Sequence, residues 1–243
     1  IEDCAHAHGT GWRGEKVGTV GDVGAFSFQQ SKSLSGGEGG AVTTDDPEIG
    51  QRARLLGNIG RRADRPGYEH HVLSSNYRMP ELHGALLCGQ LEAFPEEFAT
   101  RERRGTELAR RLEDVEGVVP QPADDRVTAR GYYFFTVRYE SSGFDGIPRD
   151  RFIEALRAEG VPAHTAYAPP LHRQPAFERE RVARLLPPNA PVPDYANCDL
   201  PGAEQFADGL VAIQHQVLLA DGAVDAIAGA VEKVSANADI LSE

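Results

Sequence analysis

Lys32 lies in Phe26-Ser27-Phe28-Gln29-Gln30-Ser31-Lys32-Ser33-Leu34-Ser35-Gly36-Gly37-Glu38-Gly39-Gly40, between an apolar, strand-like run and a glycine-rich turn. Glycines let backbone approach a ligand closely, and a neighbouring strand withdraws an amine from bulk water. Desolvation favours the neutral amine, which is nucleophilic toward an aldehyde. An exposed loop lysine is the alternative on composition alone. The glycines fit a phosphate cradle too, although the order GxxxxGK[ST] is absent. Upstream, Asp3 stands in Ile1-Glu2-Asp3-Cys4-Ala5-His6-Ala7-His8-Gly9. A carboxylate at the end of an apolar strand is the partner that a protonated ring nitrogen needs. A helix cap at Asp3 and a metal pair at His6 and His8 are the competing readings. No metal is expected, because no third ligand follows from the spacing.

These residues need elements to position them. Ala25–Phe28 and Gly40–Thr44 have the length and β-bias of buried strands on either side of Lys32. Asp46-Pro47 caps a helix running to Gly57. The polar stretch from Asn58 to Ser75, with Arg61, Arg62, Arg65, His70 and His71, reads as an exposed arm. Between Pro80 and Glu116 the spacing predicts long helices broken near Pro95, with Leu82, Leu86, Leu91, Phe94, Phe98, Leu108 and Leu112 facing inward. Composition shifts at Gly117-Val118-Val119-Pro120, which divides the chain into residues 1–117 and 118–243. The second part reads as a strand (Tyr132–Tyr139), a helix (Arg149–Glu159), a strand-like Val161–Tyr167, a proline-rich loop, a strand (Ala212–Leu219) and a last helix (Ala223–Val234), the habit of a small α/β sandwich.

Composition narrows the function classes. With 243 residues, 40% of them hydrophobic and 26% charged, the chain is long enough for a large core of globular type. Twenty-five Lys and Arg against 37 Asp and Glu give a net charge of −12, and no basic run is long enough to grip a phosphodiester backbone. Nucleic acid is therefore not an expected partner. No apolar stretch approaches the roughly 20 residues of a membrane helix, so no membrane is expected and a cytoplasmic location is. Cys4, Cys88 and Cys198 form no CxxC pair. The single methionine is Met79, so the chain opens without an initiator and has the profile of an internal fragment.

EDCAHAHG, followed 29 residues after Asp3 by the lysine of FSFQQSKSLSGGEGG and then by Ser74-Ser75-Asn76-Tyr77-Arg78-Met79-Pro80-Glu81-Leu82, resembles the DegT/DnrJ/EryC1/StrS family. That family comprises pyridoxal-phosphate-dependent aminotransferases of keto-sugars and cyclitols. The resemblance implies the fold-type-I α/β architecture, with the latter part of a large, mainly parallel domain followed by a small C-terminal α/β domain. It implies Lys32 as the lysine that joins the cofactor's aldehyde, Asp3 as the pyridinium partner, His6 near the phenolic oxygen and Ser27 at the phosphate. Asn76 would reach the phosphate of a neighbouring subunit, so a homodimer with shared sites is expected. Tyr77, Arg78 and His172 are candidates for substrate contact. A further stretch before Ile1 would carry the helix N-terminus that receives the phosphate and the aromatic that stacks on the ring.

QQSK followed by GEGG is similar to the branch acting on scyllo-inosose-type ketones and to aminohydroxybenzoate synthases, more than to the branch with TKN at the lysine. The implied reaction moves an amino group from L-glutamine or L-glutamate to a keto-cyclitol or keto-sugar in antibiotic biosynthesis. Two alternatives are an aminohydroxybenzoate-synthase-like dehydratase and a non-catalytic shell of the family. The family's sugar 3-dehydratases replace the lysine by histidine, and Lys32 argues against them.

Overall fold

The computed structural model describes residues 1–65 and 67–239. In chain order the first elements are β1 (Glu2–Asp3), β2 (Gly11–Trp12), β3 (Glu15–Lys16), β4 (Gly24–Ser27), β5 (Gly40–Thr43), α1 (Pro47–Gly57) and α2 (Glu81–Leu112). They are followed by β6 (Val118–Pro120), β7 (Val127–Ala129), β8 (Phe134–Tyr139), α3 (Arg149–Ala158), α4 (Arg179–Ala183), α5 (Pro201–Gly209), β9 (Leu210–Gln214) and α6 (Ala223–Ala236). The chain forms two compact units, residues 1–105 with 123–133, and residues 106–122 with 134–243. The stretch 123–133 belongs to the first unit because β7 pairs antiparallel with β2, Gly11 opposite Ala129.

In the first unit a mixed sheet runs in the order β1-β4-β5, with β1 parallel to β4 and β4 antiparallel to β5. The two strands expected on either side of Lys32 are β4 and β5, paired from Gly24–Thr43 to Ser27–Gly40, but they are not the buried strands expected: of their residues only Gly24 is buried, and Val42 is exposed. Helix α1 starts where Asp46 accepts the N–H groups of Glu48 (2.7 Å) and Ile49 (3.2 Å), with Pro47 in its first turn. The stretch from Arg61 to Ser75 contains no helix or strand among its described residues and is largely exposed.

Helix α2 departs from the expectation, because it runs unbroken through Pro95. Proline removes one donor and disturbs the carbonyl four residues back, here Leu91. Pro95 and Leu91 are both exposed, so water can hydrate the freed carbonyl, while the neighbouring turns are anchored by Phe94, Phe98 and the buried Arg101. Leu108 and Leu112 are buried as expected, but Leu82, Leu86 and Leu91, also expected inward, are exposed, and Leu87 is buried instead.

The second unit is built on the antiparallel sheet β6-β8-β9. Along β8, Phe135, Val137 and Tyr139 alternate inward and pack with Phe152 and Leu156 of α3, Val211 and Ile213 of β9, and Ile227 and Val231 of α6. The Tyr139 hydroxyl donates to the Ile147 carbonyl at 2.8 Å, and burial pushes its pKa up to about 12.

Three expectations change in this part of the chain. The strand expected from Tyr132 begins only at Phe134, because Tyr132 has a φ of 42° and turns the chain out of the extended state. Val161–Tyr167 forms no strand and pairs through a single bridge between His164 and Ala212; Pro162 has no N–H to offer a ladder, and Tyr167, with a φ of 55°, turns the chain away. Strand β9 stops at Gln214, and His215–Leu219 is a 3-10 turn that buries His215 and Leu218 together, since residues three apart eclipse in that geometry.

Candidate active site

Strand β1 is brief, and the carboxylate of Glu2 holds it in place. Its oxygens accept the N–H groups of Gly18 (2.8 Å), Val20 (2.9 Å) and Gly21 (2.7 Å), bonds that hold its pKa below the usual carboxylate value. Backbone bonds from Glu2 to Val23 (2.7 Å) and from Cys4 to Ala25 (2.9 Å) zip β1 to β4. Asp3, between them, is exposed at the sheet's end, with Oδ1 accepting the Ala5 N–H at 3.0 Å. Glu2→Gln is therefore expected to lower Tm. A carboxylate with a depressed folded-state pKa contributes stability above its unfolded value and loses it as pH falls through the folded one. The gap in Tm between parent and variant should thus be full at neutral pH and close as the pH falls below about 4, as thermal melts across pH would show.

After Ser27, whose Oγ accepts the Gln29 N–H at 3.3 Å, the chain folds into a turn that closes on itself. Lys32 N–H donates to Gln29 O (2.9 Å), Gly36 N–H to Phe28 O (3.0 Å) and Phe28 N–H to Gly39 O (2.8 Å). Gly39, with a φ of +137°, takes a conformation closed to most side chains, and a Cβ there would meet Met79 at 3.0 Å. His83 Nδ1–H donates to the Glu38 carbonyl at 2.9 Å. The glycine turn and the block around Asn76-Tyr77-Arg78-Met79 are thus packed together.

The sequence contains three lysines, Lys16, Lys32 and Lys233. Lys16 donates to the Gly9 carbonyl at 2.9 Å, and Lys233 pairs with both oxygens of Glu159 at 2.7 Å. Lys32 is half-buried, and its amine has no hydrogen bond or ion pair among the described residues. Its Nζ lies over the ring of Tyr133, 4.8 Å from the centroid. The His6 imidazole stacks on the same ring at 3.8 Å and 24°. Withdrawal of that stacked face from water, with Lys32 nearby, lowers the His6 pKa against an opposing pull from Asp3. His8 points into the core between Phe26 and Phe28, and burial lowers its pKa too. The two histidines therefore occupy different surroundings, one at the site and one beneath it.

Asp3, Ser27, Lys32 and His6 are thus grouped about the ends of β1 and β4. Asn76, Tyr77 and Arg78 lie on the exposed segment before α2; Asn76 Oδ1 accepts the Arg78 N–H (3.2 Å) and Nε–H (3.0 Å). His172 belongs to the second unit, buried, with Nε2 2.8 Å from a Glu204 oxygen that also accepts Arg173 Nε–H at 2.8 Å. Tyr133 was not among the residues the motifs pointed to. A pair of tyrosines just before a strand was the available signal, and the expected strand absorbed it.

A half-buried primary amine with no hydrogen-bond acceptor among the described residues is chemically able to condense with a carbonyl. The model of the DegT/DnrJ/EryC1/StrS aminotransferase family matches residues 1–232. The chain belongs to that family. It is 39% identical to the L-glutamine:2-deoxy-scyllo-inosose aminotransferase of Streptoalloteichus tenebrarius, over 96% of this chain and 58% of the relative. It is 38% identical to the L-glutamine:scyllo-inosose aminotransferase of Streptomyces griseus, over 98% of this chain and 58% of the relative. The crystal structure of 3-amino-5-hydroxybenzoic acid synthase superposes with a TM-score of 0.79 at 31% identity, covering 96% of this chain and 59% of that one. The chain therefore spans somewhat under two thirds of these relatives, with the fold-type-I architecture of the family. The family uses pyridoxal 5′-phosphate, and this site fits it. The Lys32 amine suits the aldehyde, the Asp3 carboxylate a protonated ring nitrogen, and the Ser27 hydroxyl a phosphate oxygen. No helix among the described residues is long and apolar enough to cross a membrane.

Proposed function

We propose that this chain carries the catalytic lysine and the ring-nitrogen carboxylate of an aminotransferase that moves an amino group from L-glutamine to a keto-cyclitol. The observation that carries the proposal is the amine of Lys32, which lacks an acceptor among the described residues and shares the Tyr133 ring with His6. Pyridoxal 5′-phosphate, when bound, supplies an aldehyde for amines and a ring that takes up the electrons released when the donor's Cα loses its proton. Lys32 Nζ takes that proton and later returns one, acting as general base and then acid. Asp3 keeps a proton on the ring nitrogen; each pKa unit of that preference is worth about 1.4 kcal/mol, about tenfold in rate if fully expressed in the transition state. His6, whose pKa desolvation and Lys32 push down, would stand near the cofactor's phenolic oxygen. Ser27 offers its hydroxyl to the phosphate.

The similarity of the two scyllo-inosose enzymes favours a cyclitol ketone over a sugar, and glutamine over glutamate. Incubation with L-glutamine and scyllo-inosose, analysed by mass spectrometry, should give a product in which one carbonyl oxygen is replaced by an amine. Loss of water without gain of nitrogen would overturn this reading in favour of dehydration.

A homodimer with shared sites forms part of the proposal, with Asn76 on the exposed segment reaching a neighbour's phosphate. Mixing Lys32→Ala and Asn76→Asp subunits should then restore activity above the sum of the two, because one site of each mixed dimer carries neither change. No restoration despite proven subunit exchange would place Asn76 outside the neighbour's site.

A further inference from the structure

Tyr133 lies outside the motif blocks, yet the groups of the site converge on it. Its ring stands 4.8 Å from Lys32 Nζ and 3.8 Å from the His6 imidazole, measured to the ring centroid. Its hydroxyl is 2.8 Å from Ser31 Oγ, one residue before the lysine. The direction of that bond follows from its neighbours. Gln29 Oε1 accepts the Ser31 backbone N–H at 2.8 Å, so the atom facing Ser31 is the amide oxygen, an acceptor only. The Ser31 hydroxyl, 2.6 Å from the same oxygen, must spend its single proton there. Tyr133 therefore donates to Ser31, and a directed chain runs from the phenol through Ser31 to Gln29. The ring is 7% exposed and cannot swing into solvent.

We infer that Tyr133 is a positioning residue that fixes where the Lys32 amine stands, an inference that rests on the catalytic role proposed for Lys32. A lysine stem has four rotatable carbons, and its ammonium alone is a point charge without directional preference. A ring face attracts that charge at one place. The hydrogen-bonded chain sets the ring relative to the turn that bears the lysine, so the amine and its support move as one piece. His6 sits against the same ring, which ties the position of the imidazole to that of the amine.

With three lysines in the chain, reductive 13C-methylation of the cofactor-free protein gives a sparse NMR spectrum in which Lys32→Arg identifies the Lys32 signal. Ring current should place that signal upfield of Lys233. It should stay there in Tyr133→Phe, which keeps the ring, and move to the Lys233 position in Tyr133→Leu. With pyridoxal 5′-phosphate and L-glutamine, Tyr133→Leu should slow the first half-reaction about tenfold, as misplacement of a reacting group does, with KM for glutamine unchanged and Tyr133→Phe restoring most of the rate. A Lys32 signal coincident with Lys233 in the parent overturns the inference without any change at Tyr133. Unchanged half-reaction rates in Tyr133→Leu overturn it as well. If the parent itself develops no visible band with pyridoxal 5′-phosphate, the proposed function fails, and the inference with it.

Discussion

Lys32→Ala is expected to abolish the visible band formed with pyridoxal 5′-phosphate and to lower amination by about a thousandfold or more, since it removes both the covalent attachment and the proton carrier. The same change should leave the fold intact. Among the described residues the Lys32 amine makes no hydrogen bond or ion pair, and what is lost is its contact with the Tyr133 ring, worth about 0.5–1 kcal/mol. Near-parental Tm with no band is therefore the expected pairing. A Lys32→Ala protein that still turns over glutamine would remove the lysine from the mechanism.

Asp3→Asn separates charge from shape. An amide oxygen can still accept the Ala5 N–H that Asp3 Oδ1 holds at 3.0 Å, so the turn after β1 is expected to survive. The negative charge that keeps a proton on the ring nitrogen is gone. A preference of two pKa units would make the loss about a hundredfold. Cofactor stoichiometry should stay near the parent's while the single-turnover rate falls by that order. Equal rates in the two proteins would show that the carboxylate has no part in the chemistry.

Much of the local structure around Lys32 is legible in the sequence because it rests on short-range rules. The glycines at 36, 37, 39 and 40 announce a turn that other residues would strain, and Asp46-Pro47 announces a cap, both properties of a few adjacent residues. What depends on packing is harder to read. Pro95 signals a break locally, but anchored turns on both sides of it carry α2 through. Leu82 and Leu86 have helical spacing, yet they lie on an exposed face. His215 and Leu218 fit a strand by composition, while their joint burial three residues apart fits a 3-10 turn. Tyr133 was illegible for the same reason: it lies 101 positions after Lys32, and the pairing of β7 with β2, with the bonds of Arg130 to Glu102 and of Gly131 to Thr10, returns that part of the chain to the first unit. Motif spacing reports residues near one another in sequence; the support under the lysine comes from elsewhere.

The proposal that Lys32 is the amine that condenses with the cofactor meets its most direct test in borohydride trapping. The full chain is mixed with stoichiometric pyridoxal 5′-phosphate, reduced, digested and mapped by mass spectrometry. Because the sequence has three lysines, the outcome is a distribution over Lys16, Lys32, Lys233 and the N-terminal amine. Lys16 and Lys233 are engaged by Gly9 and Glu159, so the account predicts the pyridoxyl group predominantly on Lys32. A distribution spread evenly over the lysines, or concentrated on Lys16 or Lys233, would contradict it.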